Sequence, residues 1–199
     1  MKTVLIITVV LFVVFTLFQA YTVMASNKSG SQPYTVIRIE KDFEIRFYPA
    51  ATMAITTSSA KTYKELGNSG FKKLADYIFG ANKTNEKIAM TTPVHMDINQ
   101  TSSTMSFVMP SQYRKDNLPE PNDSNVKIKT ISQEYVAVIK FAGYASENDI
   151  KSFSQRLENA LKEASISYFG HFRFLGYNPP FQFIGRRNEI IVSVDWVTK

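Results

Sequence analysis

Twice along this chain the apolar pattern changes period in the same order. Tyr34–Glu40 and Phe43–Ser58 alternate apolar with polar residues and are rich in β-branched types, the pattern of two strands joined at Lys41-Asp42. From Thr62 to Phe79 the spacing becomes helical, with Tyr63, Leu66, Gly70, Phe71, Leu74, Tyr77 and Ile78 on one side and lysines on the other. Alternation returns over Lys87–Asp97 and Ser103–Pro110. A Pro/Asn/Asp-rich link over residues 111–125 then reads as a surface loop. Beyond it the order repeats. Strands over Val126–Ser132 and Glu134–Tyr144 precede a helix over Ser146–Ser165, and strands over Phe169–Asn178 and Asn188–Trp196 follow. Two β-β-α-β-β units in tandem predict an α+β domain, a curved, largely antiparallel sheet or barrel with two helices against it.

Local signals agree with these periods. Thr62 with Glu65, and Ser146 with Asp149, are spaced as capping boxes, while Gly80 and Asn82 close the first helix. The second helix carries Ile150, Phe153, Leu157, Ala160, Leu161 and Ala164 on one face.

The first two dozen residues are unlike the rest. Lys2 precedes an apolar run without an acidic residue, and its uninterrupted core is Val4–Phe18, a targeting or anchoring segment. Val23-Met24-Ala25 before Ser26 suits a signal peptidase, so residues 1–25 are expected to be a signal peptide; a membrane anchor over residues 4–24 is the alternative. Residues 26–33, small, polar and punctuated by Gly30 and Pro33, are expected to be a flexible tether to a domain over 34–199. The chain would then work outside the cytoplasm, periplasmic or secreted, touching a membrane only through an uncleaved N-terminal segment.

With no cysteine, there is no lipobox, thiolate ligand or disulfide, so an apolar core must supply the stability. The net charge of +6 is scattered, which argues against nucleic acid as a partner. Four Asn-x-Ser/Thr sequons stand at Asn27, Asn82, Asn99 and Asn122. No Gly-x-Ser-x-Gly, glycine-rich phosphate loop or histidine pair at metal-ligand spacing is present, so nothing requires an enzyme.

Two stretches are dense in chemical residue types. In "KIAMTTPVHMD", alternation puts Met90 and Met96 on an apolar face and His95 with Asp97 on the other; Pro93, which cannot donate to a ladder, marks an edge or bulge. Asp97 is placed to orient the His95 imidazole toward a metal, and the pair equally suits a plain protein surface. In "GYNPPFQFIGRRNEI", a turn directs Phe181 and Phe183, and Arg186 and Arg187 point to opposite faces, one suited to a structural ion pair and the other to an anion.

These stretches carry a resemblance. "KIAMTTPVHM", "GYNPPF...GRRNEI" and the opening "YTVIRIEKDFEIRFYPAATMA" together resemble the SOUL haem-binding protein family over roughly Tyr34–Trp196. The resemblance implies a distorted β-barrel of two repeats flanked by two helices. It further implies a monomeric, non-enzymatic carrier, scavenger or buffer of haem or related tetrapyrroles. The ring would lie in an open apolar groove beside the first helix of the domain, with basic side chains near its propionates. Carried onto this chain, the groove residues are Asn68, Phe71, Lys72 and Ala75, with Arg186 and Arg187 as further cations and His95 as the candidate iron ligand; His171 and Tyr63 are the other possible ligands. The family's groove carries an arginine and a methionine where this chain has Asn68 and Phe71, which removes one propionate partner. A binding module for other flat hydrophobic ligands, or a partner-binding protein with a vestigial groove, are the competing readings.

Overall fold

Amphipathic helices need a surface to cover, and here both domain helices lie on one large sheet. The structure, a computed structural model, describes residues 1–28, 30–99 and 101–196, without the side chains of residues 26–28. Its elements are α1 (Lys2–Lys28), β1 (Gly30–Ser31), β2 (Thr35–Ile39), β3 (Glu44–Tyr48), β4 (Ala51–Ser58), α2 (Tyr63–Ile78), β5 (Thr91–Thr92), β6 (Val94–Asp97), β7 (Ser103–Val108), β8 (Val126–Ile131), β9 (Glu134–Ala142), α3 (Glu147–Glu163), β10 (Tyr168–Gly176) and β11 (Arg187–Val194).

The domain is α+β. Nine strands form one antiparallel sheet in the order β2-β3-β9-β11-β10-β6-β7-β4-β8, open between its edges β2 and β8. From the central β6–β10 pair, the order runs β7, β4, β8 on one side and β11, β9, β3, β2 on the other. Each half thus receives a strand from the opposite end of the chain: β3 pairs with β9, and β8 with β4. The stretch expected to be one strand over Phe43–Ser58 is two, because Pro49-Ala50 lets β3 leave for the far half while β4 stays. "KIAMTTPVHMD" is likewise broken at Pro93 into β5 and β6.

The helices end as their caps dictate. Thr62 accepts from the Glu65 N–H at 3.2 Å, but the Glu65 carboxylate turns to the Lys61 N–H, so only half of a box forms on α2. Ser146 and Asp149 complete a reciprocal box on α3. Leu66, Leu74 and Ile78 of α2 and Ile150, Leu157 and Leu161 of α3 join Ala54, Met105, Phe107, Phe174, Ile190 and Val192 in the main core. The other face of the sheet holds Tyr48, Val136, Val138, Leu175, Tyr177 and Ile191. Period-2 alternation along each strand separates these two populations.

Of the residues expected to be a tether, Ser29 lies outside the described set, as do the side chains of 26–28. Gly30–Ser31 pair with Thr91–Thr92, and Gln32 is buried with its N–H on the Thr92 carbonyl at 2.8 Å. Among the sequons, the Asn27 side chain lies outside the described set. The Asn82 side chain is buried, donating to the Tyr77 and Glu86 carbonyls at 3.0 and 2.8 Å, so it is closed to modification in the folded chain.

Candidate functional site

On α2, Asn68, Phe71, Lys72 and Ala75 follow at i, i+3, i+4 and i+7 and share one face. What seats that face is a glycine. A Cβ on Gly70 would stand 3.2 Å from the Met105 Cβ and 3.4 Å from the Thr56 methyl, so its absence lets the helix close onto β4 and β7. Phe71 is thereby held edge-on to buried Phe107, ring centroids 5.3 Å apart, and remains 39% exposed. Ala75 is buried at 8% exposure and offers a ligand little surface, a correction to its place in the expected groove. Lys72 is exposed and its Nζ meets Asp76 Oδ2 at 2.7 Å, an exposed pair that a ligand carboxylate can replace cheaply.

Phe79 extends this stripe. It lies four residues past Ala75, caps the helix, and is largely exposed. Helical spacing carried one step beyond the last turn would have found it. On the opposite flank of α2, Lys73, Asp76 and Tyr77 edge a cleft of about 300 Å3 that shares Asn122 and Asp123 with a second of about 450 Å3. The larger is floored by Leu118, Val126 and Ile128 and rimmed by Lys83, Lys115 and Lys127 together with Glu120 and Asp123. These lysines come from separate loops and a strand, so no local sequence signal announces them.

The remaining expected site residues are elsewhere. His95 points to the sheet face away from Met96 and α2, opposite Leu175 on β10. It is buried, with Nε2 2.7 Å from Gln32 Oε1. Burial, and then the charge of Arg173, push its pKa down to about 3, so the ring is neutral. The sequence left His95 as a candidate iron ligand or a plain surface residue; the chain entering through Gly30–Gln32 covers it, which corrects both readings. Asp97 makes no hydrogen bond to it, and Asp97 Oδ1 is buried without a hydrogen-bond partner.

Arg186 and Arg187 diverge as alternation requires. Arg187 binds Glu189 Oε1 through Nε and an Nη at 3.0 and 2.6 Å and lies over the Tyr177 ring. Arg186 donates to the Pro179 and Gln182 carbonyls, both at 2.7 Å, and so holds a loop instead of an anion. Neither reaches α2. His171 is exposed on β10, and burial raises the Tyr63 phenol well above its ordinary value, disfavouring the phenolate that iron prefers. Among the described residues no group of three or more His, Cys, Asp or Glu side chains could hold a metal ion.

The α2 region therefore offers an aromatic face on one flank and lysines on the other. A flat apolar ring with a carboxylate edge suits the face that holds Phe71, Lys72 and Phe79; an iron ligand at His95 does not. The family model described as SOUL heme-binding protein matches residues 30–193. The chain belongs to the SOUL heme-binding protein family. Its SOUL relatives include "Heme-binding protein 1" of Xenopus laevis, 30% identical over 161 residues, covering 76% of this chain and 84% of the relative. "Heme-binding protein 2" of Mus musculus is 31% identical over 156 residues, covering 74% and 76%. The human "Heme-binding protein 2" is 29% identical over 174 residues, covering 83% and 81%. The SOUL fold is shared more widely. The C-terminal domain of EcmrR superposes with a TM-score of 0.60 at 9% identity, covering 82% of this chain and 99% of that one. A hydrolase from Listeria innocua gives 0.56 at 7%, covering 80% and 94%.

Proposed function

We propose that this chain binds haem or a related tetrapyrrole without catalysing a reaction on it, as a carrier, scavenger or buffer outside the cytoplasm. The observation that carries the reading is Phe71, a large aromatic side chain held half-exposed over Phe107 on the α2 face in a member of a heme-binding family. Phe71 and Phe79 would take the apolar ring, and Lys72, on the same face, would meet a carboxylate. Covering about 100 Å2 of apolar surface there contributes roughly 2.5 kcal/mol, so recognition through the ring needs several such contacts. Haem iron, when present, would bring its own axial chemistry.

Parallel titrations with hemin and iron-free protoporphyrin test the proposal. Equal binding of the two supports recognition through the ring and carboxylates. Failure of both to bind would refute it.

A further inference from the structure

The loop between β10 and β11 is fixed from inside in order to show apolar side chains outside. Arg186 sits at its centre, holding the Pro179 and Gln182 carbonyls, with its guanidinium 4.1 Å over the Tyr144 ring. The Tyr144 hydroxyl donates to the Pro180 carbonyl at 2.7 Å, and buried Gln182 donates to the Ile184 carbonyl at 2.9 Å. The tip so held leaves Phe181, Phe183 and Ile184 between half and two-thirds exposed. Three adjacent large apolar side chains on an internally braced loop form a patch that water disfavours.

Helix α1 meets this loop. Gln19 is buried, its Nε2 donating to the Phe181 carbonyl at 3.2 Å and its Oε1 accepting from the Phe183 N–H at 2.8 Å. Phe15 and Phe18 approach Phe183 and Phe181 with ring centroids 6.0 and 6.1 Å apart. The span Lys2–Ala25 is 24 residues, long and apolar enough to cross a membrane. At 1.5 Å per residue, Lys2 to Gln19 covers roughly 26 Å, close to the ~30 Å hydrocarbon thickness, so Gln19 lies near the headgroup boundary if α1 spans the bilayer. Polar groups at that depth must satisfy one another, as Gln19 and the loop backbone do. Tyr21 and Tyr144 are the residue type that favours this boundary.

We infer that the loop over residues 178–186 is a membrane-seating foot. Its partner is the headgroup boundary of the bilayer that α1 enters, with α1 kept as an anchor and the Phe181–Phe183–Ile184 tip inserted beside it. The domain then rests on the lipid surface in one orientation.

The test uses the full chain in vesicles of phosphatidylcholine with phosphatidylglycerol. Trp196 is the chain's own single tryptophan and serves as the internal control. Phe183→Trp adds a reporter at the tip, and Ile184→Trp is a second reporter should the first disturb the fold. Lipids brominated near the carbonyl end of the acyl chain should quench the added fluorescence, while acrylamide in water should not. Quenching by acrylamide alone, with the chain still sedimenting with the vesicles, would overturn the foot. Native protein that begins at Ser26, or that stays in the supernatant, would overturn the anchor on which it depends.

Discussion

Arg46 and Glu189 form a two-pronged ion pair, Nη1–Oε2 3.0 Å and Nη2–Oε1 3.1 Å, with both side chains at 0% exposure. Burial opposes the Arg46 charge, but Glu189 outweighs it and holds the guanidinium above its ordinary value. Tyr177 and Arg187 also donate to Glu189, and Tyr34 lies 4.2 Å beneath Arg46. Glu189→Ala would leave Arg46 buried without its main carboxylate, at a cost of about 3–5 kcal/mol. Urea unfolding measures this. The double change Arg46→Met with Glu189→Leu should lose less than Glu189→Ala alone, since no fully buried charge remains; Arg187, 39% exposed, loses Glu189 in both variants.

A second prediction concerns pH. His95 is neutral in the fold, with its pKa pushed down to about 3, whereas an unfolded histidine titrates near 6.5. Between those values the unfolded chain binds the extra proton, so stability is complete above about 6.5 and falls as pH drops toward 3. The slope approaches 1.4 kcal/mol per pH unit. Denaturation between about pH 5 and 6.5, above the carboxylate range, isolates it. His95→Gln should flatten the slope whatever it does to the absolute stability. A slope unchanged in that variant would show that His95 is charged or exposed.

The same residue gives a spectroscopic expectation. Gln32 Oε1 can only accept, so the His95 ring directs its Nε2 proton to it and lies on the sheet face away from Phe71. His95→Gln should leave the Soret band of the hemin complex in place and change hemin affinity less than about two-fold, within ~0.4 kcal/mol. A shifted band in that variant and not in His171→Gln would make His95 a ligand after all.

Much of this architecture was legible because it is local. The amphipathic faces of α2 and α3, the Thr62 and Ser146 caps and the alternation of β7, β9 and β11 each need only a window of a few turns or residues. The exchange of β3 and β8 between halves is not local. It depends on which hydrogen-bonding edge remains free after β4–β7 and β9–β11 have paired. Alternation likewise set His95 apart from the apolar methionine face but could not say that its own face is covered. The Gly30–Gln32 segment decides that.

The site divided in the same way. Spacing put Phe71 on the apolar side of its helix, and the family resemblance added Asn68 and Lys72 as groove residues, whereas the roles of Arg186 and Arg187 depend on Tyr144, Tyr177 and Glu189, brought together only by the fold. The pairing of one of the two arginines with a carboxylate was foreseeable from alternation. The use of the other to hold carbonyls was not, because backbone acceptors carry no residue identity.

Phe71 separates a role in ligand contact from one in packing. Its ring is 39% exposed, so an aspartate there can turn its carboxylate to water, and the loss is confined to the edge contact with Phe107. Phe71→Asp should cost roughly 1–2 kcal/mol of stability, the ordinary range for a half-buried aromatic contact. Leu74→Asp, one turn along and fully buried, should cost several kcal/mol, since its carboxylate would have no path to water. Hemin affinity should move differently. Phe71→Asp removes apolar contact and sets a negative charge against a dianionic ligand, so binding should weaken about ten-fold or more, ~1.4 kcal/mol or above. Thermal midpoint and hemin titration, measured on the same preparation, check both. If affinity holds while stability falls, Phe71 is a packing residue and the ligand face lies on the lysine-rimmed flank of α2.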